Sequence, residues 1–582
     1  MARPGHRRRR RAVGPTLAAV ALAAGLAAAA TPSGALGVLS GYKVIGAAPA
    51  FGTDSSTSTI AGMSCPSVGN CSVAGNFVST SGHLTGPLDG LWVADQHAGA
   101  WGAPMVVSDA SVARDWNGAM TAISCSSPGN CAAGGMFTGA PQRYDAFVIQ
   151  EVHGTWGPVQ FLTSATVLNA GNNATVTSIS CPSDASCTAV GTYLDASDQT
   201  RTFTADESGG VWGTPSAVTG TGDLAGLVDG ALAQVSCSSA GECLAVGLGW
   251  ANGTGTGQAI AVEERSATWQ AATALPGTLS STSLYAQAKT VSCAAGLDCA
   301  IGGWYRDPAS HDQGFVEDVT AGVLQPIAEV PGLATLNVAN SAWVTDLSCP
   351  GAGSCAGYLI ISDGVTGYVP YAISETAGTW GAPVATTGKS AADVGNGKVA
   401  CASAGNCALV GTVPITTSIP RSNAYTAFID YEVAGHWQHY QLVSGPSAAE
   451  AAPQHTGDAI ACAAPTRCEL GGTVTPQSAA VNGAWVGDEL RVATPSAPRA
   501  PRVARARGRL AVSWLPPASN GGAAVVQYRV VASPTGRTCV TTGRTCTFGG
   551  LSTRVRYRFR VAARNVAGFG PLSGPTAPAS PL

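Results

Sequence analysis

Eight times along this chain a cysteine is followed, after five intervening residues, by a second one. The pairs are Cys65/Cys71, Cys125/Cys131, Cys181/Cys187, Cys237/Cys243, Cys293/Cys299, Cys349/Cys355, Cys401/Cys407 and Cys462/Cys468. Their first members stand 60, 56, 56, 56, 56, 52 and 61 residues apart. A period of this length means an array, each repeat contributing one supersecondary unit that cannot bury its apolar faces alone.

The third copy shows the unit. Thr175-Val-Thr-Ser-Ile-Ser180 is rich in β-branched residues and reads as a strand, and Cys181 to Cys187 is a turn. Thr188-Ala-Val-Gly-Thr-Tyr193 is a second strand and Arg201 to Glu207 a third. Ser208-Gly-Gly210 turns the chain into a fourth, Val211 to about Val218. Trp101, Trp156, Trp269, Trp380 and Trp437 occupy the place of Trp212, and Leu324 replaces it once.

Four short antiparallel strands, repeated eight times, are the pattern of β-propeller blades. The competing reading is a string of small disulfide beads, which one hairpin's apolar surface is too small to support. The last copy lacks a Gly-x-Trp strand, and Tyr42 to Pro49 precedes the first copy without a partner. Pairing that segment with the last copy would close the ring and remove its open edges.

The cysteine copies resemble repeats of secreted actinobacterial propellers with a Ser-Cys…Cys-x-Ala-Val-Gly signature. The Gly-x-Trp turn is distantly similar to the Asp-box turn of sialidase-like propellers, although the Asp itself is missing. In those families the turn is structural and remote from the active site, so the resemblance implies a blade position and no activity.

Arg3 and Arg7 to Arg11, an Ala-rich apolar stretch and the small residues Ser33-Gly-Ala35 read as a secretory signal peptide over 1–35. Export permits disulfides, and all eighteen cysteines fall in close pairs, so each is expected to be bridged. Adjacent hairpin strands should hold the paired Cα atoms about 4.4–6.8 Å apart. Two cysteines per copy do not make a four-ligand metal site, and no cofactor is expected.

Charge divides the chain. From Pro495 onward there are thirteen Arg and no Asp, Glu or Lys. Between the signal segment and that point, twelve basic residues face thirty-four acidic ones. This asymmetry marks a boundary: 38–494 for the propeller and 495–582 for the tail. Leu510-Ala-Val-Ser-Trp514, Pro516-Pro517, Gly550-Leu551, Tyr557-Arg-Phe-Arg-Val561 and Asn565-Val-Ala-Gly568 make the tail resemble a fibronectin type III domain. The expected fold is therefore all-β: an eight-bladed β-propeller of four-stranded blades, then a seven-strand fibronectin type III β-sandwich. Cys539 and Cys546 are expected to bridge a local hairpin.

Alternation over Thr553 to Val561 predicts one strand with Arg554, Arg556, Arg558 and Arg560 on its outer face. In the resembled family the strand holding Arg529 lies beside it, so five guanidinium groups would form an anion-binding stripe. A solvated strand face is the plainer reading. On the propeller, the loops opposite the cysteine turns carry Arg143-Tyr144-Asp145, Trp250, and Trp304-Tyr305-Arg306-Asp307 with His311 and Asp312. Arg421 and Tyr425 lie on the same side. Aromatic rings beside Arg and Asp suit sugar stacking with hydrogen bonds.

No nucleophile elbow, phosphate loop or dinucleotide fingerprint stands in a fitting context. The His436-Trp-Gln-His439 spacing lacks a Glu beside the first His and fits a turn. The leading expectation is a secreted or wall-associated, monomeric, non-catalytic protein of the cell envelope. It would bind a glycan or an anionic wall polymer, with no nucleic-acid partner and no membrane span in the mature chain. The other class is a secreted glycoside hydrolase or lyase with a fibronectin type III accessory domain, its carboxylates gathered from distant blades.

Overall fold

The computed structural model describes residues 36–582, apart from 46–54, 80–89, 108–117, 141–142, 252–255, 277–284, 388–396, 416–423, 444–453, 476–482, 521–524 and isolated positions between them. The expected signal segment and Arg421 lie outside the described residues. The fold is all-β, with two three-residue 3-10 turns, Ala295–Leu297 and Leu333–Thr335, among the described residues.

Each cysteine repeat is an open antiparallel sheet. In the third, the strands are Ala174–Ser183, Ser186–Leu194 and Thr200–Ser208. The expected fourth strand is two pieces, Val211–Trp212 and Ser216–Ala217, both paired with the third strand. The break has a local cause. Gly213 N–H turns back to Asp206 O at 2.8 Å, and Pro215 has no N–H to donate to a ladder. The fourth and fifth repeats join into one ten-stranded sheet through the parallel pair Gly257/Tyr285.

The eighth sheet is completed from the start of the chain. Leu36–Ile45 pairs antiparallel with Gly483–Val492, and Val44 stands opposite Trp485. This strand begins before the expected Tyr42, and 46–49 of the expected segment lie outside the described residues. Side chains then tie the eighth sheet to the first. Lys43 Nζ donates to the carbonyls of Trp101 and Gly102, each at 2.7 Å. Ala484 N–H donates to Ser58 Oγ at 2.7 Å, and Gln96 Nε2 to Glu469 Oε1 at 2.9 Å.

The serine that precedes the first cysteine in six of the eight repeats has a definite task. The first strand of a repeat is the edge of its own sheet, and its outward N–H groups need acceptors. The N–H groups of Cys125, Cys181, Cys237, Cys293, Cys349 and Cys401 donate to Ser64, Ser124, Ser180, Ser236, Ser292 and Ser348 of the preceding repeat, at 2.9–3.0 Å. Two residues earlier, Val235, Val291 and Val399 donate in the same way to Ser178 Oγ, Gln234 Oε1 and Asp346 Oδ2. The first strands of the second to seventh repeats are thus covered by their neighbours' side chains.

The eight repeat cysteine pairs are disulfides, with Cα atoms only 3.9–4.1 Å apart. This is tighter than expected from hairpin geometry in general. The reason lies in the register. A first cysteine that gives its N–H to a neighbouring serine occupies a non-hydrogen-bonded pair, where opposed Cα atoms approach to about 4.5 Å.

The cysteines also sit deeper than a staple at a surface turn would. Both members of a pair belong to the flanking strands, and in the third repeat the turn between strands is only Asp184-Ala185. The second members, Cys71, Cys131, Cys187, Cys243, Cys299, Cys355, Cys407 and Cys468, are buried at 0–6% exposure. Each meets the preceding repeat. Cys131 Sγ lies 3.4 Å from Ser72 Oγ, and Cys243 Sγ lies 3.5 Å from Thr188 Oγ1. Cys187 shares an apolar cluster with Ala132, Cys299 with Leu244, and Cys355 with Ala300. Cys407 joins Ala356, Cys468 joins Ala408, and Cys71 joins Ala484 of the eighth sheet. The bridge therefore closes its own hairpin and also fills the space between repeats, because the second strand is an inner strand of its sheet.

Glycine in the Ala-Val-Gly segment makes room for the core. Gly191 faces Phe203 across the ladder, and a Cβ there would lie 2.6 Å from the Phe203 ring. Phe147, Phe203, Phe315, Phe428, Trp92 and Trp485 fill equivalent sites and are fully buried. Apolar clusters run between consecutive sheets. One joins Ala132 and Val148 of the second repeat to Val176, Ile179 and Phe203 of the third.

The C-terminal region is a two-sheet sandwich. One sheet holds Pro498–Ala506, Arg509–Pro517 and Thr545–Gly549; the other holds Gln527–Ser533, Thr538–Thr541, Arg558–Asn565 and Gly568–Phe569. Trp514, Tyr528, Leu551, Tyr557, Phe559 and Val561 form its core. Cys539–Cys546 links the two sheets, with Cα atoms 6.6 Å apart, rather than closing a hairpin. The chain crosses between sheets from Thr541 to Thr545, so strands adjacent in sequence are not paired.

Candidate functional site

The ends of the sheets opposite the disulfide turns carry a continuous row of aromatic rings. Trp250 ends a second strand, Tyr285 opens a first strand, and Trp304 lies near the end of the next second strand. Trp343 and Tyr368 open strands of the sixth repeat. Trp250 meets Tyr285 edge-on at 5.6 Å, and Tyr285 stacks on Trp304 at 5.0 Å. Trp343 follows at 6.2 Å from Trp304 and Tyr368 at 5.2 Å from Trp343. Gly257 makes the row possible, since a Cβ there would lie 2.6 Å from the Tyr285 ring. Trp250 is 37% exposed, and Trp343 Nε1 is a donor without a hydrogen-bond partner among the described residues.

Arg306 borders the row. Its guanidinium lies 5.6 Å from the Trp304 ring centroid, and its Nε donates to Asp312 Oδ1 at 2.8 Å. Sequence reading found Trp250, Trp304 and Arg306 but missed Tyr285, Trp343 and Tyr368. Those three open strands, and only the sheet order brings them beside Trp304.

Several expected ligand contacts take other roles. Tyr305 is 4% exposed and lies in the apolar cluster with Phe315 and Val319, because strand alternation sends it away from Trp304 and Arg306. Burial pushes its phenol up to about 12. Asp307 builds the loop tip: its Oδ1 accepts the N–H groups of Ala309 and His311, both at 2.9 Å, and its Oδ2 lies 3.3 Å from His311 Nδ1. Arg143 Nε donates to buried Asp145 at 2.6 Å, and Asp145 also accepts from Asn169. Tyr144 gives its N–H to Asn172 O at 3.0 Å. Tyr425 lies within the strand Ala424–Val433, and His436 pairs with Val433 at a turn.

In the tail the expected strand over 553–561 starts only at Arg558. A turn at 553–554 precedes it, in which Val555 N–H reaches Ser552 O and Arg554 N–H reaches Ser552 Oγ. Arg554 therefore leaves the stripe. Arg529 lies over Phe569 at 4.4 Å, and Arg564 joins it at 5.6 Å. Arg556, Arg558 and Arg560 remain exposed.

Two further features were not legible in advance. The first is a set of buried carboxyl groups between sheets. Glu151, Glu264 and Glu375 reach toward Asp95, Asp206 and Asp318 of the preceding repeats. Burial, helped by those like charges, pushes each Glu up to about 7. The same three Asp accept the Nε1 hydrogens of Trp156, Trp269 and Trp380 at 2.8–2.9 Å. Trp156, Trp269 and Trp380 are therefore clasps between consecutive repeats, whereas Nε1 of Trp101 and of Trp212 has no hydrogen-bond partner among the described residues. Where Leu324 replaces the tryptophan, the preceding repeat carries Glu263, which pairs with Arg265 instead. Glu317 is deeper still: burial pushes it up to about 9, and neither carboxyl oxygen has a hydrogen-bond partner among the described residues.

The second feature is a cavity of about 360 Å3 lined by the first strands of all eight repeats. Its walls are mostly Ala, Gly, Thr and aliphatic residues, with Lys289, Lys398, Asp346 and Asp458 as charges. Lys398 Nζ lies 3.4 Å from Asp346, whose other oxygen accepts Val399 N–H. Asp458 accepts from Thr456 and Thr473. Among the described residues, no group of three or more His, Cys, Asp or Glu is placed to hold a metal, and no helix is long and apolar enough to cross a membrane.

No curated protein matches the chain. Among solved structures, the titin kinase with its flanking domains is 29% identical over 15% of this chain and 17% of its own, with a TM-score of 0.14. The twitchin kinase region from C. elegans is 29% identical over 15% and 16%, with a TM-score of 0.14. A multidomain segment of titin is 14% identical over 39% of this chain and 92% of its own, with a TM-score of 0.16. The chain spans about a sixth of the length of the first two structures. The fibronectin type III family model matches residues 496–579, and the C-terminal sandwich is a domain of that family.

Proposed function

We propose that the eight sheets are blades of one closed β-propeller, and that the chain is a secreted, non-catalytic binding protein of the cell envelope. Three things support the closed ring: the strand pairing between Leu36–Ile45 and Gly483–Val492, the bonds from the eighth sheet to the first, and a cavity walled by every first strand. Nine disulfides suit an oxidising compartment outside the cytosol.

The observation that carries the binding role is the aromatic row from Trp250 to Tyr368 at the loop ends of three consecutive repeats. Rings with polar neighbours at their edge bind flat, hydroxylated ligands, so a glycan chain is the partner assigned. A hydrolase would need a free acid and a free base facing one substrate. The carboxylates that line the axial cavity are instead occupied as acceptors, which favours binding over hydrolysis. The tail's Arg556, Arg558 and Arg560, with no acidic residue in their own domain, add affinity for an anionic wall polymer.

The test is a glycan and wall-polymer array probed with the full chain, with Trp304→Ala and with Arg558→Glu/Arg560→Glu. Loss of neutral-glycan binding in the first variant and of salt-sensitive polymer binding in the second is the expected result. Glycan binding that survives Trp304→Ala unchanged removes the aromatic row as the site.

A further inference from the structure

We propose that the seam between the eighth and first repeats is a binding site for a small zwitterion of the α-amino acid class. Two positions there depart from the commoner pattern of the repeat, and both border one cavity. In the first, second, fourth and fifth repeats the residue before the second cysteine is a brace. Asn70, Asn130, Glu242 and Asp298 accept the N–H groups of Ala98, His153, Ser266 and Ala321 in the turn after the third strand, at 2.8–3.2 Å. In the eighth repeat this residue is Arg467. Its third strand runs instead alongside Leu36–Ile45, so there is no such turn to brace. The serine that accepts a cysteine N–H from six repeats is here Ala461, as it is Ala400 in the seventh, which leaves Cys65 N–H without that clasp.

A cavity of about 340 Å3 opens where the clasp is missing, walled by Gly69, Gly99, Ala461, Arg467 and Glu469. This is large enough for a small ligand. Arg467 and Glu469 are two apart on one strand and project to the same side, about 6.6 Å apart along it. Arg467 is exposed and has no acidic partner among the described residues. Glu469 is 6% exposed; its Oε1 accepts from Gln96, and its Oε2 has no hydrogen-bond partner among the described residues. A guanidinium and a half-used buried carboxylate bordering one cavity fit a molecule with a carboxylate at one end and an ammonium at the other. The guanidinium takes the carboxylate in a forked contact, and the free Glu469 oxygen takes the ammonium. This site is independent of the aromatic row, which lies at the other end of the sheets.

Isothermal titration of the full chain with glycine, L-alanine and L-glutamine tests it, with acetate and methylammonium as half-molecules. Binding of at least one amino acid is expected, with both half-molecules weaker by about tenfold or more. Arg467→Ala and Glu469→Gln should each weaken amino-acid binding by about tenfold or more. Arg467 is exposed, so its variant keeps the fold if Glu469→Gln does not. No heat with any amino acid at about 10 mM, acetate binding as tightly as glycine, or unchanged binding in Arg467→Ala overturns the proposal.

Discussion

The repeat body and the C-terminal sandwich handle charge in opposite ways. In the body many carboxyl groups point inward, between sheets, and serve as acceptors for Trp, Ser and backbone hydrogens. In the sandwich the guanidinium groups point outward, over an apolar core that contains no acidic residue. The formal charges of the two regions therefore overstate how well they complement one another. Glu151, Glu264, Glu375 and Glu317 are pushed up to about 7, 7, 7 and 9, so they carry less charge near neutrality than their number implies. The body is a weaker counter-surface for the tail's arginines than its composition says.

The largest expected effect is on how stability depends on pH. The folded body holds protons on these Glu that the unfolded chain releases above the ordinary value of 4.5. Stability from that source is fully present below about pH 4.5 and is lost as pH rises through 7, and through 9 for Glu317. The sandwich has no Asp, Glu, Lys or His. In calorimetry of the full chain between pH 5 and pH 8, the body's transition should move to lower temperature while the sandwich's stays in place. Parallel movement of both would break the comparison.

A smaller effect of the same origin concerns two single residues. Trp380→Phe leaves Asp318 without its indole donor and should cost about 1–3 kcal/mol in denaturant unfolding. Glu317→Leu removes an unpartnered buried carboxyl and should stabilise the body by a similar amount at pH 8. A destabilised Glu317→Leu protein would mean that this carboxyl has a partner or a use.

Smaller again is the serine clasp. Ser236→Ala should cost about 1 kcal/mol by stranding the Cys293 N–H. Ala400→Ser, which writes the missing serine into the seventh repeat, should return about as much to the interface with the eighth. If neither change alters the unfolding midpoint, the edge hydrogen bonds are not what couples the repeats.

Much of this was legible in the sequence because it rests on period and alternation. The cysteine spacing marked the repeat, Thr175 to Glu207 displayed its first three strands, and the Trp and Tyr-x-Phe-x-Val pattern marked the sandwich. What escaped depended on neighbours distant in the chain. The tasks of Ser236 and Trp380 emerge only when one repeat packs on the next, and Tyr285, Trp343 and Tyr368 join Trp304 only through the sheet order. The same packing hides Cys243 and Cys299, whose spacing announced a bridge but not its burial against the repeat before. Reading Trp304 to Asp307 as one cluster failed for a simpler reason. Consecutive strand residues face opposite sides, so Tyr305 went to the core, and Asp307 was needed to shape the turn. The stripe lost Arg554 because a turn precedes Arg558, and Arg529 was drawn onto Phe569.

Closure of the ring is tested most directly by hydrogen exchange with mass spectrometry on the full chain, comparing Leu36–Ile45 with Gly483–Val492. A seam strand predicts slow exchange in both segments, and deletion of 36–45 should speed exchange both in Gly483–Val492 and in the first repeat's Ser55–Ser67. Exchange in 36–45 at the rate of unfolded chain, with the first repeat indifferent to its removal, would contradict a ring closed by that strand.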